Sequence, residues 1–190
     1  HISLFTFDVI SQPSITWQKW YDRPGNPFPV DNSVTDLCES NLGNYFIVGY
    51  DIIRKALIYK INDYGDTLFT KEFGNNFSRA YCVTQSSDGG CVFAGGIADS
   101  NYSPFAIYAT KMNSNGSIQW NSVYSDNYNS AVYDIQLTVD NGYIGCGIID
   151  SNSSNLNEGL LFKINSNGNI QWRKIYQAGF SKSFQSVLQT

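Results

Sequence analysis

The sequence predicts an all-β fold, a β-propeller of four-stranded antiparallel blades, and three observations carry that expectation. First, "NSNGSIQW", beginning at Asn113, recurs as "NSNGNIQW", beginning at Asn165, 52 positions later. Second, aromatic anchors recur in the same phase through the chain: Trp17, Phe69, Trp120 and Trp172, at steps of 52, 51 and 52. Third, the chain between anchors is a succession of short runs rich in Val, Ile, Tyr and Phe, bounded by Gly, Asn or Asp. Such runs are hairpin strands, and no segment sustains a helical period. Four of them per roughly 50 residues, repeated, mark a propeller blade.

Taken in order, the opening stretch "HISLFTFDVISQP" (1–13) lies outside the repeat as an N-terminal arm. "SITWQKWY" (14–21) is an isolated fourth strand, and three complete blades follow at about 34–73, 78–124 and 129–176. Each begins with a first strand ("VTDLCES", "AYCVTQS", "VYDIQLT"), a turn ("NLGN", "SDGG", "VDNG") and a second strand ("YFIVGY", "CVFAGG", "YIGCG"). After a loop of variable length comes a third strand ("ALIYKIN", "AIYATKMN", "LLFKIN"). A Gly-containing turn ("DYGD", "SNGS", "SNGN") then leads into the anchor strand ("DTLFTKEF", "SIQWNSVY", "NIQWRKIY"). At Asn167-Gly168 that turn needs positive φ, which glycine adopts without strain. Residues 181–190 return to first-strand phase, so 14–190 is expected to be a partial propeller whose fourth blade is truncated. A closed ring takes about 4 to 8 blades, so the chain is expected to be part of a larger protein. The recurring aromatics are structural anchors, packing between neighbouring sheets.

Composition excludes several classes. With 42% apolar and 15% charged residues the 190-residue chain can bury a core. Net charge is -4 and the 12 Lys and Arg are scattered, so no cationic surface awaits nucleic acid. No apolar run approaches a membrane-spanning length. The four cysteines, Cys38, Cys82, Cys91 and Cys146, lack metal-site spacing, and the single histidine is His1. Buried free thiols are the plain expectation, with a Cys82–Cys91 hairpin disulfide as the alternative.

Catalytic signatures are missing: there is no nucleophile elbow, P-loop or zinc-protease motif. Enzymatic chemistry would have to use carboxylate pairs, such as Asp134 with Asp140 or Asp36 with Glu39. Asp36 and Asp134 share a repeat phase, however, which favours a role in blade geometry. The Asp- and Asn-rich loops offer oxygens for calcium but lack its usual loop spacing, so no cofactor is expected and calcium is a lesser reading. Specificity is expected where loops vary on a rigid scaffold. These are the fourth-to-first connections, bearing Phe77, Tyr128 and Phe180, and the second-to-third loops, bearing Asp99, Tyr102, Asp150 and Glu158.

The units around "TVDNGY" (Thr138 to Tyr143), "LFKIN" (Leu161 to Asn165) and Gly168 to Tyr176 resemble the secreted propeller repeats of Bacteroidota, over about 160 residues. The second unit departs from the pattern, with Phe69 for Trp and Cys91 for Tyr, and the loop at 22–31 is longer. The glycine four residues before Trp120 and Trp172 is also similar to the tryptophan-docked blades of quinoprotein dehydrogenases and outer-membrane assembly propellers. The first resemblance implies a secreted or cell-surface substrate of the type IX secretion system. The expected function is a non-catalytic scaffold binding protein or glycan, possible contacts with the secretion machinery included. The alternatives are a carbohydrate-active enzyme whose carboxylates lie mainly in further blades, and a secretion-system passenger.

Overall fold

A computed structural model describes Lys19 and residues 33–40, 43–51, 55–74, 77–98, 106–124, 128–150, 157–177 and 180–189. Within them the chain forms three four-stranded antiparallel sheets and no helix. The first sheet comprises β1 (Ser33–Glu39), β2 (Tyr45–Tyr50), β3 (Ala56–Ile61) and β4 (Thr67–Phe73). The second comprises β5 (Ser78–Gln85), β6 (Cys91–Ile97), β7 (Ala106–Met112) and β8 (Ile118–Tyr124). The third comprises β9 (Asn129–Leu137), β10 (Tyr143–Asp150), β11 (Glu158–Ile164) and β12 (Ile170–Tyr176). In each sheet the strands pair in sequence order. Trp17 and residues 1–13 lie outside the described residues.

The turns between third and fourth strands are built alike. The side-chain oxygens of Asn62, Asn113 and Asn165 each accept two backbone N–H groups, at 2.8 to 3.0 Å. Three residues on, Gly65, Gly116 and Gly168 take φ of 74°, 82° and 79°, closing the turn at no steric cost. The opposite hairpins use an aspartate where one is present. Asp88 accepts from Ser86 Oγ and Gly90 N and pairs with Lys111 at 3.1 Å; Asp140 does the same with Thr138, Gly142 and Lys163.

Each first strand carries a bulge at the same place. Thr35, Tyr81 and Tyr133 have no partner in the register, and the preceding pairs set Val34, Ala80 and Val132 opposite Gly49, Gly95 and Gly147. The bulge drives the carbonyls of Ser33, Arg79 and Ala131 onto those glycines, where an added Cβ would lie 1.8, 1.9 and 1.9 Å away. Only glycine allows that approach.

Alternating residues of the second sheet face two neighbours, the first sheet on one side and the third on the other. Phe46, Val48 and Ile58 of the first sheet share a core with Val83, Phe93, Tyr108 and Met112 of the second. Val92, Ala94 and Ala109 of the second pack with Val132, Tyr143, Leu160 and Phe162 of the third. First strands of successive sheets lie against one another, β1 on β5 and β5 on β9, while β4 and β8, or β8 and β12, make no comparable contact, so the sheets fan outward.

At the outside the aromatic anchor of one sheet receives the turn of the next. Trp120 Nε1 donates to Ser166 O (2.8 Å) and Tyr124 Oη to Gly168 O (2.6 Å). A Cβ on Gly168 would sit 2.8 Å from the Trp120 ring, and one on Gly116 3.0 Å from the Phe69 ring. Lys19, the only described residue of its stretch, likewise meets the turn of the first sheet by pairing with Asp66.

Two expectations need correction. Trp172 does not pack between sheets: it is 39% exposed, because none of the described residues forms a sheet on that side of β12. Residues 181–189 form no ladder strand, although they run beside β9 and β10. The four cysteines are free thiols, as the plain expectation has it, and the alternative Cys82–Cys91 disulfide is not formed.

Trp120→Ala should cost roughly 3 to 5 kcal/mol by urea unfolding, whereas Trp172→Ala should cost under about 1 kcal/mol; equal costs would remove the anchor assignment. Burial tends to raise the Asp88 carboxyl, but bonds from Ser86 and Lys111 outweigh it and hold it at about 2 against an ordinary 3.8. A folded value below the unfolded one adds stability above the unfolded pKa and loses it as pH falls through the folded pKa. The stability advantage of wild type over Asp88→Ala should therefore be constant at neutral pH and shrink from about pH 4 to about pH 2. An advantage independent of pH across that window would contradict this.

Candidate functional site

The fourth-to-first and second-to-third connections leave the sheets at one end, where first strands begin and second strands finish. The bulges lie near that end, and they bring tyrosines from successive sheets together. The Tyr50 and Tyr81 rings meet edge to face at 6.2 Å, and Tyr81 and Tyr133 at 5.8 Å. Arg79 covers the Tyr50 ring at 5.3 Å and donates to Tyr81 Oη at 3.3 Å. Two residues apart on β5, Arg79 and Tyr81 are thereby fixed against each other.

Between β5, β9 and the end of β10 lies a cleft of about 240 Å³, lined by Arg79, Tyr81, Tyr133, Ile148, Asp150 and Asn157 among others. Asp150 Oδ1 is buried there and accepts no hydrogen bond. A buried carboxylate oxygen left without a donor is costly. Burial and the neighbouring Tyr81 push the Tyr133 phenol up, so its hydroxyl stays protonated and can donate as well as accept. The cleft thus offers aromatic faces, a cation, a carboxylate and an amide within one small space.

A second, polar cavity of about 370 Å³ separates the first strands, lined by Asp36, Asp134, Gln136 and Gln185 among others. Its carboxylates are engaged with the backbone. Asp36 accepts from Val83 N and Leu37 N, both at 2.8 Å. Asp134 Oδ2 accepts from Val187 N and Ser186 Oγ, both at 2.8 Å. Burial pushes the Asp36 carboxyl up, its backbone donors oppose the shift, and the charge of Asp134 adds to it. The shared phase of Asp36 and Asp134 therefore serves to hold the next stretch of chain, β5 for Asp36 and residues 181–189 for Asp134, against the first strand that bears it. Asp140, imagined as an acid–base partner of Asp134, is held in the β9–β10 turn by Lys163.

The sequence-predicted site residues are dispersed. Phe77 is half-buried, its carbonyl accepting from Ala98 N at 3.1 Å. Tyr128 and Phe180 are exposed, Phe180 with the Lys182 ammonium 5.2 Å above its ring. Asp150 lines the cleft, whereas Glu158, expected in a loop, is the buried first residue of β11. Asp99 and Tyr102 lie outside the described residues. Missed were Arg79, Tyr81 and Tyr133, although Tyr81 and Tyr133 stand in the same repeat phase and could have been found by it. Among the described residues no group of three His, Cys, Asp or Glu is placed to hold a metal, and no helix is long and apolar enough to cross a membrane.

No family model matches the chain, and no curated protein matches it. Among solved structures it is similar to one described as "Crystal structure of the eukaryotic initiation factor", at 9% identity and a TM-score of 0.47. The match covers 77% of this chain and 34% of that one, so the chain spans about a third of the length of its structural neighbour.

Proposed function

We propose that the chain is part of a β-propeller that acts as a non-catalytic scaffold, binding a glycan through its loop-bearing end. The observation that carries this reading is the cleft at Tyr81 and Tyr133, with the unsatisfied Asp150 Oδ1 at its wall. Tyrosine rings present flat apolar faces to the C–H surface of a sugar, while a carboxylate, an amide and a guanidinium take its hydroxyls. A volume of about 240 Å³ is below the roughly 300 Å³ at which pockets for larger small molecules begin, and suits one sugar residue of a chain. The carboxylates Asp36 and Asp134 hold backbone N–H groups, which favours binding over turnover.

The fanned sheets, with first strands converging, support the propeller reading. The resemblance of the repeat to secreted propellers of Bacteroidota supports a secreted or cell-surface location and export through the type IX system. On that reading a surface polysaccharide or glycoprotein is the partner, met by several such clefts at once around a ring. Multivalent contact then compensates for weak single sites.

On a glycan array the wild-type chain should bind a restricted set of glycans saturably and without releasing products. Tyr133→Ala and Asp150→Asn should each lower that binding about tenfold or more, equivalent to at least about 1.4 kcal/mol, while thermal unfolding stays cooperative. Wild-type chain that binds no glycan, or variants that bind equally well, would contradict the reading. Capture of a protein partner that Tyr133→Ala abolishes would replace glycan by protein at the same cleft.

A further inference from the structure

The side of the third sheet that faces away from the second is an interface without its other half. Both internal sheet junctions follow one scheme. The anchor aromatic of the preceding sheet takes the Asn-x-x-Gly turn of the following one, and the first strand of the following sheet lies along its predecessor. At the second junction Trp120 and Tyr124 donate to the carbonyls of Ser166 and Gly168. Their counterparts one repeat later are Trp172 and Tyr176, which are 39% and 41% exposed. On the same side Ile144 and Leu161 are half-buried, whereas the equivalent Phe46 and Ile58, and Val92 and Ala109, are wholly buried by a following sheet.

Residues 181–189 already occupy part of that missing half. Phe184 N donates to Gly147 O at 3.2 Å and Lys182 N to Asn157 O at 2.7 Å. Val187 N donates to Asp134 Oδ2 at 2.8 Å, as Val83 N of β5 donates to Asp36 Oδ2. The Phe184 ring packs edge to face on Tyr176 at 5.3 Å. The segment thus stands on β9 as β5 stands on β1, in the place of a first strand, with its outer backbone edge unpaired by any described strand.

We infer that this face is an acceptor for a three-stranded antiparallel unit of the same repeat. That unit pairs with 181–189 as its inner strand and sets an Asn-x-x-Gly turn on Trp172 and Tyr176. The chemistry of the partner follows from the two existing junctions. Its turn presents two carbonyls to the indole N–H and the phenol, and it carries glycine where a Cβ would strike the indole, as at Gly168. Its second strand buries apolar residues against Ile144 and Leu161. The turns of the three described sheets already face Lys19, β4 and β8, so a copy of this chain offers no free turn among its described residues. The inference is independent of what the cleft binds.

The test extends the full chain. Thr190 has the repeat phase of Thr138, so a second copy of residues 139–176 is appended directly after Thr190. Trp172 is read as the difference between each protein and its Trp172→Phe variant. In the extended chain the Trp172 emission should shift to the blue and its acrylamide quenching should fall several-fold. A version with Gly168→Val in the appended copy alone should restore the exposed signal. Trp172 equally quenched with and without the extension would overturn the inference. An unextended chain that is dimeric with Trp172 shielded would also overturn it, in favour of a second copy as the occupant.

Discussion

The molecule depends on one close approach, repeated three times: a carbonyl at the start of each first strand pressed onto a glycine of the second. Gly49, Gly95 and Gly147 leave the space that the carbonyls of Ser33, Arg79 and Ala131 fill. That contact admits the bulge, and the bulge changes which way the next residues face. Downstream of it, Asp36 turns toward β5 and accepts the N–H of Val83, and Asp134 turns toward the segment 181–189 and accepts that of Val187. Thr35 Oγ1 adds a bond to Ala80 O at 2.8 Å. A first strand is an edge strand, and unpaired N–H groups on an edge invite association. Here a side chain of the preceding sheet occupies one of them, so the feature that bends the strand also joins it to its neighbour.

The same bulge places Tyr81 and Tyr133 side by side at the loop-bearing end, so scaffold and candidate site share one cause. Farther out, the fourth strands diverge and cannot stitch to one another through the backbone. There the junction passes to Trp120 and Tyr124, long enough to cross the gap and polar enough to bond a turn carbonyl. The second sheet differs in one respect: Cys82 stands where Asp36 and Asp134 stand in the others, with its thiol bonded to Ala94 O at 3.7 Å. The junction between β5 and β9 relies instead on apolar burial and the Tyr81–Tyr133 contact.

Strand order and both sets of short turns were legible in the sequence, because hairpin patterning and turn residues are local properties, whereas strand ends shifted by up to three residues. The anchor role of Trp120 was legible from its recurrence. The open state of Trp172 was not, since an identical motif is covered or exposed according to what lies next to it. Tyr81 and Tyr133 were hidden for another reason. A bulge inverts the alternation of inward and outward residues at the position where it falls, so simple periodicity assigns those rings to the wrong face. Phe77, Tyr128 and Phe180, spaced regularly in sequence, lie in connections whose geometry no strand pattern fixes. β11 begins at Glu158, two residues before the expected Leu160, which was enough to bury Glu158.

Amide hydrogen exchange at Val83, followed in the wild-type chain and in Asp36→Ala, tests the stitching of successive first strands most directly. Val83 N–H points away from its own sheet, and its described acceptor is the Asp36 carboxylate. The account predicts slow exchange at Val83 in the wild type, accelerated about tenfold or more in Asp36→Ala, with the exchange of the β6 and β7 amides unchanged. Fast exchange at Val83 in the wild type, or equal rates in the two proteins, would contradict it.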